Sequence, residues 1–322
     1  MDIELSVPDQ YRGYRLDKAL ALLLPDYSRT TIQSWLDAGR ILLDEDTPSR
    51  RKIVSGGERL RVEIPQPERH DWLAEDIPLD IVFEDDHLLV IDKAPGMVVH
   101  PGAGNQCGTL LNALISHADS LSALPRAGIV HRLDKNTSGL LVVAKTETAR
   151  LALVKQFKNR LAKRQYLAIV DGRLISGGTI DAPIGRHPRN RKKMTAGLGK
   201  DAISHYRIVS RYRMHTLLRV SLDTGRTHQI RVHFQHMGHP LVGDPEYGTR
   251  TKIPAAADET LVATLKGFRR QALHAETLSV NHPASNEQLK WHAGVPEDMR
   301  VLLVALKRDS VQPAIQSGYS KS

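Results

Sequence analysis

Asp134 is the residue of this 322-residue chain whose setting first suggests chemistry. It lies between Arg132 and Lys135 in the stretch Ala127-Gly-Ile-Val-His-Arg-Leu-Asp-Lys-Asn-Thr-Ser-Gly-Leu-Leu-Val-Val-Ala-Lys-Thr146. A carboxylate flanked by cations tends to stay ionised, which suits a nucleophile better than a general acid. An aspartate in a turn rich in Gly, Ser, Thr and Asn is also what an ordinary hairpin uses. Local sequence leaves both readings open. A second concentration of reactive side chains runs from Thr224 to Pro240. On a helix, His228, Arg231 and Gln235 share one face. His228, His233, His236 and His239 form a conceivable metal set. No carboxylate accompanies them inside the motif, however, and His228 and His233 point to different helix faces. Cys107 is the single cysteine, so no internal disulfide and no thiolate cluster can form.

These groups need elements to hold them. The apolar runs Gly128 to Val130 and Leu140 to Ala144 read as buried strands on either side of the Asp134 turn. Earlier, residues 1–13 read as an extended lead-in. Leu16, Leu20, Leu23 and Leu24 recur at helical spacing up to Pro25. Ser28 is placed to cap a second helix bearing Ile32, Trp35 and Leu36, with Gly39 beyond its end. Ile41 to Leu43 and the alternation of Leu60, Val62 and Ile64 read as strands. The polar, proline-containing run Pro65 to Asp71 reads as a linker.

Further on, strands are expected at Ile81 to Glu84 and His87 to Ile91, then a helix from Thr109 to His117. Glu147 to Leu161 reads as a helix with a stripe of Leu151, Val154, Phe157 and Leu161. Strands are expected at Lys163 to Val170, Ser204 to Ser210 and Thr216 to Leu222. A helix capped by Thr227 and ending at Gly238 would bury Ile230, Phe234 and Met237. Residues 249–262 read as a polar insertion. The expected organisation is a domain over 1–65, a linker over 66–78, a second domain over 79–308 and a disordered tail over 309–322. No apolar run approaches a membrane span and none follows a basic N-terminus, so a cytoplasmic protein without membrane contact is expected.

The net charge of +9 is unevenly spread. Residues 1–65 carry ten Lys/Arg against eleven Asp/Glu, and residues 66–130 carry three against ten. Residues 131–322 carry thirty-two against fifteen, an excess of +17. Such a one-sided excess points to a polyanionic partner. Five of its cations crowd into Gly185-Arg-His-Pro-Arg-Asn-Arg-Lys-Lys-Met194.

His131-Arg-Leu-Asp-Lys135, followed by Thr137-Ser-Gly-Leu140, resembles the central motif of the RluA-type pseudouridine synthases. The aspartate of that motif is the family's nucleophile. Lys93-Ala-Pro-Gly-Met-Val-Val-His-Pro-Gly102 resembles the family's first motif, a loop that buttresses the catalytic one. The resemblance implies that Tyr166 is the active-site tyrosine and that Arg231 holds the carboxylate. It implies that Arg132 fills the space left by a flipped base, with His131 in the same substrate pocket. Leu273, in Arg270-Gln-Ala-Leu-His-Ala275, would lie against the base. Arg186, Arg189, Arg191, Lys192 and Lys193 would clamp an RNA stem.

Residues 1–65 resemble an S4 RNA-binding module at Arg15-Leu16-Asp17, Ser28-Arg29 and Gly57-Glu58, with Arg29 as an RNA contact. The usual Val-Asn-Gly turn of that module reads Leu43-Asp44-Glu45-Asp46 here. The implied fold is α+β, a mixed and mainly antiparallel sheet with flanking helices, preceded by the S4 module. The implied reaction turns uridine into pseudouridine with no metal and no redox cofactor. The implied substrate is a set of uridines in the 23S ribosomal RNA hairpin that bridges to the small subunit. The implied partners are large-subunit RNA and its assembling particle, met by a monomer. The rival reading is a non-catalytic RNA-binding assembly factor, which would have no need of Asp134, Tyr166 and Arg231 together. Whether the carboxylate attacks ribose C1′ or uracil C6 stays open.

Overall fold

Leu16, Leu20, Ile32, Ile41, Leu60 and Val62 are all sealed from solvent and form one small core. They belong to the first of two units, Met1–His70 and Asp71–Ser322. The structure, a computed structural model, describes residues 2–311 except 26, 28, 66–71, 103, 249 and 250. Ser28 as a cap and residues 66–71 of the expected linker therefore lie outside the described residues; residues 72–78 of that linker belong to the second unit, where Asn112 Nδ2 donates to the Leu73 carbonyl at 2.8 Å.

In the first unit, β1 (Asp2–Ser6), α1 (Leu16–Leu23), α2 (Arg29–Asp37), β2 (Ile41–Leu43) and β3 (Arg59–Glu63) follow in order. The sheet is antiparallel with β3 in the middle, in the order β1-β3-β2. The expected lead-in is thus an edge strand in part, with Ile3 opposite Val62. Its polar alternation hid it, because an edge strand with one wet face buries little. Asp17 is buried at the start of α1 and takes hydrogen bonds from Arg15, Arg29 and Gln33.

The second unit contains β4 (Ile81–Glu84), β5 (Leu88–Lys93), α3 (Leu110–His117), β6 (Ser138–Ala144), α4 (Glu147–Lys158) and β7 (Lys163–Asp171). It continues with β8 (Gly178–Asp181), β9 (Ile184–Arg186), β10 (Met194–Ala196), β11 (Ile203–Arg211), β12 (His215–Leu222) and α5 (Gln229–His236). It closes with α6 (Glu259–Gly267), β13 (Leu273–Asn281), β14 (Gln288–His292) and α7 (Glu297–Val311). The large sheet runs β4-β5-β6-β13-β7-β12-β11-β8, with β14 paired to β13. Among the described residues β6 and β13 are the one parallel strand pair, so the sheet is mixed and mainly antiparallel, as expected. Every residue of β6 is buried, which explains its unbroken apolar run. One face of the sheet packs on α3 and α5 through Leu110, Leu114, Ile230 and Phe234. The other packs on α4 through Ala149 and Leu153, and on α6 and α7 through Leu261, Leu265, Met299 and Leu302.

Four expectations need correction. Gly128 to Val130 is not a strand: a 3-10 turn ends at Gly128, and Ile129 makes only an isolated bridge to Val143. Gly128 has φ of 76°, and a Cβ there would meet the Ala144 oxygen at 1.9 Å, so the chain turns instead of extending. The buried face of α4 is Ala149, Leu153 and Gln156, whereas Leu151, Val154 and Leu161 are exposed. Residues 249–262 are not merely an insertion, since α6 begins at Glu259 and buries Leu261. The tail begins later than expected: Asp309 is buried on α7 and accepts a hydrogen bond from Arg213 at 2.8 Å. The rest of the expected tail, 312–322, lies outside the described residues. No described helix is long and apolar enough to cross a membrane.

Candidate active site

The loop carrying Asp134 runs into the head of β6, and other elements tie it down from below. Lys93, at the end of β5, is buried and donates from Nζ to the carbonyls of Ala94, Met97 and Lys135, at 2.8, 3.1 and 3.1 Å. The three N–H bonds of an ammonium thus meet three acceptors. Burial nevertheless pushes this lysine down to about 7, against the pull of Asp134. Arg270 donates to the Asn136 carbonyl at 3.2 Å while its Nε and Nη2 hold Asp298 at 2.6 and 2.7 Å. Gln271 donates to Thr137 Oγ1, and Ser138 Oγ meets His274 Nδ1. Gly139 lets β6 and β13 approach: a Cβ there would lie 2.4 Å from the Ala275 oxygen. The segment 270–275 therefore clamps the loop as well as supplying Leu273.

Asp134 Oδ2 accepts from Arg231 Nη1 at 3.2 Å. Arg231 is buried on α5, and two further carboxylates share it. Its Nε and Nη2 meet both oxygens of Asp244 at 2.7 and 2.9 Å, and Nη2 also meets Glu246 at 2.8 Å. This set raises the arginine well above its ordinary range although burial opposes it. Asp244 is fixed in turn by the Glu246 and Tyr247 amides, at 2.9 and 3.0 Å. The guanidinium is thereby aimed before any substrate arrives. Asp134 Oδ1 faces His228 Nε2 at 3.9 Å, beyond hydrogen-bond reach.

The pocket above Asp134 has a volume of about 350 Å³. Tyr166, Leu273, Arg132, His131, Arg164 and Phe157 are among the residues that line it. Tyr166 projects from β7 and is 5% exposed. Burial raises its phenol, and the positive charge of Arg164 opposes that rise. Arg132 is exposed at the pocket wall. His131 is built into the wall: its Nε2 accepts the Val142 amide at 3.0 Å and its ring stacks on Phe157. Burial drives it down to about 3, which keeps the ring neutral.

A family model described as RNA pseudouridylate synthase matches residues 87–236, which span β5 to α5 and hold Asp134, Tyr166 and Arg231. A relative from Xanthomonas campestris, named ribosomal large subunit pseudouridine synthase D, is 53% identical over 309 residues, covering 96% of this chain and 93% of that protein. One of the same name from Pseudomonas aeruginosa is 53% identical, covering 94% of this chain and 95% of that protein. The chain belongs to the RNA pseudouridylate synthase family. It is an RNA pseudouridine synthase, an enzyme that isomerises uridine. The solved structure of human RNA pseudouridylate synthase domain containing 4 is 25% identical, with a TM-score of 0.55, over 70% of this chain and 92% of that one.

Other residues of this pseudouridine synthase stand as follows. Helix α5 starts at Gln229, and its cap is His228 in the left-handed region, not Thr227. Met237 is exposed instead of buried. The four histidines do not converge. His233 is buried between Ser204 Oγ and the Ala182 carbonyl, and His239 meets the Asp171 carbonyl. Arg186, Arg189, Arg191 and Lys192 are exposed on the β9–β10 hairpin. Lys193 is set apart from them, half-buried and donating to the Glu246 carbonyl at 2.5 Å. In the first unit, Arg29 donates from Nε and Nη2 to Asp17 at 3.1 and 2.8 Å. The sequence reading missed Asp244, Glu246 and Tyr247. Gly243-Asp-Pro-Glu-Tyr-Gly248 looks like any turn, and only the fold brings it to Arg231.

Proposed function

We propose that this enzyme isomerises uridines of 23S ribosomal RNA, in the large-subunit hairpin that bridges to the small subunit, with Asp134 as nucleophile. The observation that carries the nucleophile is the asymmetry of its carboxylate. One oxygen is held by Arg231 at 3.2 Å, and the other is unbonded at the pocket. The reaction needs an anion that attacks, is displaced and attacks nothing else. The target uridine leaves its stack, at a cost of a few kcal/mol that is lowest in a loop. Arg132 fills the gap, Leu273 and Tyr166 hold the base, and the Tyr166 hydroxyl takes part in proton transfer at carbon 5.

The large-subunit target is supported by relatives named for that subunit across nearly the whole chain. The exposed cations of the β9–β10 hairpin hold phosphates of the stem. Residues 1–65 act as an S4 module that selects site and shape on the assembling particle, and the protein works as a cytoplasmic monomer. The test is twofold. Pseudouridine mapping of ribosomal RNA from cells with and without the protein identifies the sites. Asp134→Asn should abolish turnover of the mapped hairpin while keeping its affinity within a few-fold. Turnover by that variant would remove the nucleophile assignment, and unchanged large-subunit maps would remove the substrate.

A further inference from the structure

His228 stands beside the unbonded oxygen of Asp134 in a backbone conformation that few side chains adopt. Its φ and ψ are 57° and 22°, and it is the N-cap of α5. A non-glycine residue is strained there, and such strain persists where surrounding contacts fix it. Two contacts do so here. The Val232 amide donates to the His228 carbonyl at 2.9 Å, and the ring is tied to Tyr247.

That tie decides which ring nitrogen carries hydrogen. The Met194 amide donates to Tyr247 Oη at 2.9 Å. The tyrosine proton then has His228 Nδ1, 2.8 Å away, as its acceptor. Glu246 Oε2 lies 3.4 Å from the same nitrogen and would draw a proton onto it. Burial outweighs that pull: desolvation, helped by Arg231, lowers the imidazole although Asp134, Glu246 and Asp244 work against it. The ring is therefore neutral, with its one hydrogen on Nε2. This is the nitrogen that faces Asp134 Oδ1 at 3.9 Å.

We propose that His228 Nε2–H is the hydrogen-bond donor to a uracil carbonyl oxygen as negative charge develops on the ring, and that Tyr247 is the residue positioning it. The proposal rests on Asp134 being the nucleophile. A carbon poised for attack sits about 3 to 3.5 Å from Oδ1. A donor 3.9 Å from Oδ1 then faces the uracil beside that carbon, whose nearest carbonyl oxygen is three bonds on. Both routes deliver charge there. Attack at C1′ forms the Asp134 O–C1′ bond and breaks C1′–N1, and the electron pair passes into the ring, shared by N1 and the carbonyl oxygens. Attack at C6 forms the O–C6 bond, and the displaced π pair spreads over C5 and O4. Neither step moves a proton at His228. Arg231 does not fill this role, because its Nε, Nη1 and Nη2 all point at carboxylates.

The experiment uses the full-length protein on a large-subunit rRNA hairpin, and on the same hairpin with sulfur replacing oxygen at uracil C2 or C4. His228→Gly removes the ring and adopts a φ of 57° freely, so the fold survives, which a melting curve verifies. Losing one pre-aimed donor should lower kcat about 100-fold with KM within about threefold. His228→Asn, which tolerates the same backbone region and keeps an N–H donor, should recover part of the loss. Sulfur is a poor acceptor, so one of the two thio substrates should slow the wild type about tenfold beyond any effect it has on His228→Gly. Wild-type kcat in a folded His228→Gly, or equal thio effects in both proteins at both positions, would overturn the proposal. An inert Asp134→Asn beside a fully active His228→Gly defeats the donor alone. An active Asp134→Asn defeats both, since the donor is placed by the attacking oxygen.

Discussion

Arg231 binds three carboxylates at once, and that crowding defines what the site can tolerate. Asp244 is fully buried and holds the guanidinium by two bonds, so it sets where Arg231 meets Asp134. Asp244→Ala leaves a buried cation without its main counter-charge, a loss worth roughly 3 kcal/mol for a buried pair. We expect kcat to fall at least tenfold while RNA affinity changes little, with stability down by about that amount in urea unfolding. Unchanged kcat in the folded variant would mean that Glu246 alone suffices to aim Arg231. Lys93 makes a different prediction. Raising the pH through about 7 takes a proton from the amine that holds the carbonyls of Ala94, Met97 and Lys135. The loop loses one of three ties, and a positive charge leaves the neighbourhood of Asp134. We therefore expect kcat to decline on the alkaline side of about 7, and Lys93→Met to be slower at every pH but without that decline. A pH–rate profile identical in both proteins would refute it. At this scale local sequence left Asp134 open and Tyr166 looking like packing; the family resemblance singled out Asp134, Tyr166 and Arg231, which the fold brings to one pocket. The sequence was silent on Asp244 and Glu246, 13 and 15 residues beyond Arg231, because only the fold makes them neighbours.

Elements were read best where one face is dry. β6 is buried throughout and β3 alternates strictly, and both stand where their patterns put them. The helices beside the pocket were read less well, because function disturbs their periodicity. Phe157 both packs beside Ala149 and Leu153 and lines the pocket, while α4 buries the small Ala149 and the polar Gln156, which an apolar stripe does not reveal. α5 buries Gln229, Arg231 and His233 beside its apolar residues, and its cap is a strained histidine instead of a threonine. The tight turn between Leu43 and Asp46, just after β2, shows a smaller conflict between sequence and geometry. Asp44 and Glu45 have φ of 49° and 68°, the region that Asn-Gly occupies with little strain. Asp44 has a compensating role, since its Oδ1 accepts the Arg59 amide at 2.8 Å. Glu45 makes no such bond among the described residues. Glu45→Gly should stabilise the first unit by roughly 1 kcal/mol through relief of that strain. Thermal melting of the full-length protein should show an upward shift in its N-terminal transition, and a downward shift would mean that the left-handed turn is not strained.

At the scale of the whole molecule, charge separates the two units more sharply than the sequence count suggested. In the first unit Arg12, Arg15, Arg29, Arg40, Arg50 and Arg61 each lie against a carboxylate of that same unit. Those cations are largely spoken for. In the second, Arg186, Arg189, Arg191 and Lys192 make no ion pair among the described residues and are exposed on one hairpin, within a region of net charge +17. RNA affinity from phosphate contacts depends on salt, with a log–log slope of roughly 0.7 to 0.9 per phosphate neutralised. The hairpin's four free cations therefore correspond to about three units of slope. Each unit also has its own apolar core, so removing residues 1–70 leaves the second core whole. We expect that truncation to keep most of the salt slope and some turnover on an isolated hairpin, and to lose efficiency on assembled particles, where shape selection matters. Replacing Arg186, Arg189, Arg191 and Lys192 with Gln in the full-length protein should do the opposite, removing about three units of slope and weakening all RNAs alike. Binding titrations across a salt series on all three proteins decide between them. A truncated protein that loses more than half the slope, or a hairpin variant that keeps nearly all of it, would place the main phosphate grip in the first unit, despite its paired arginines.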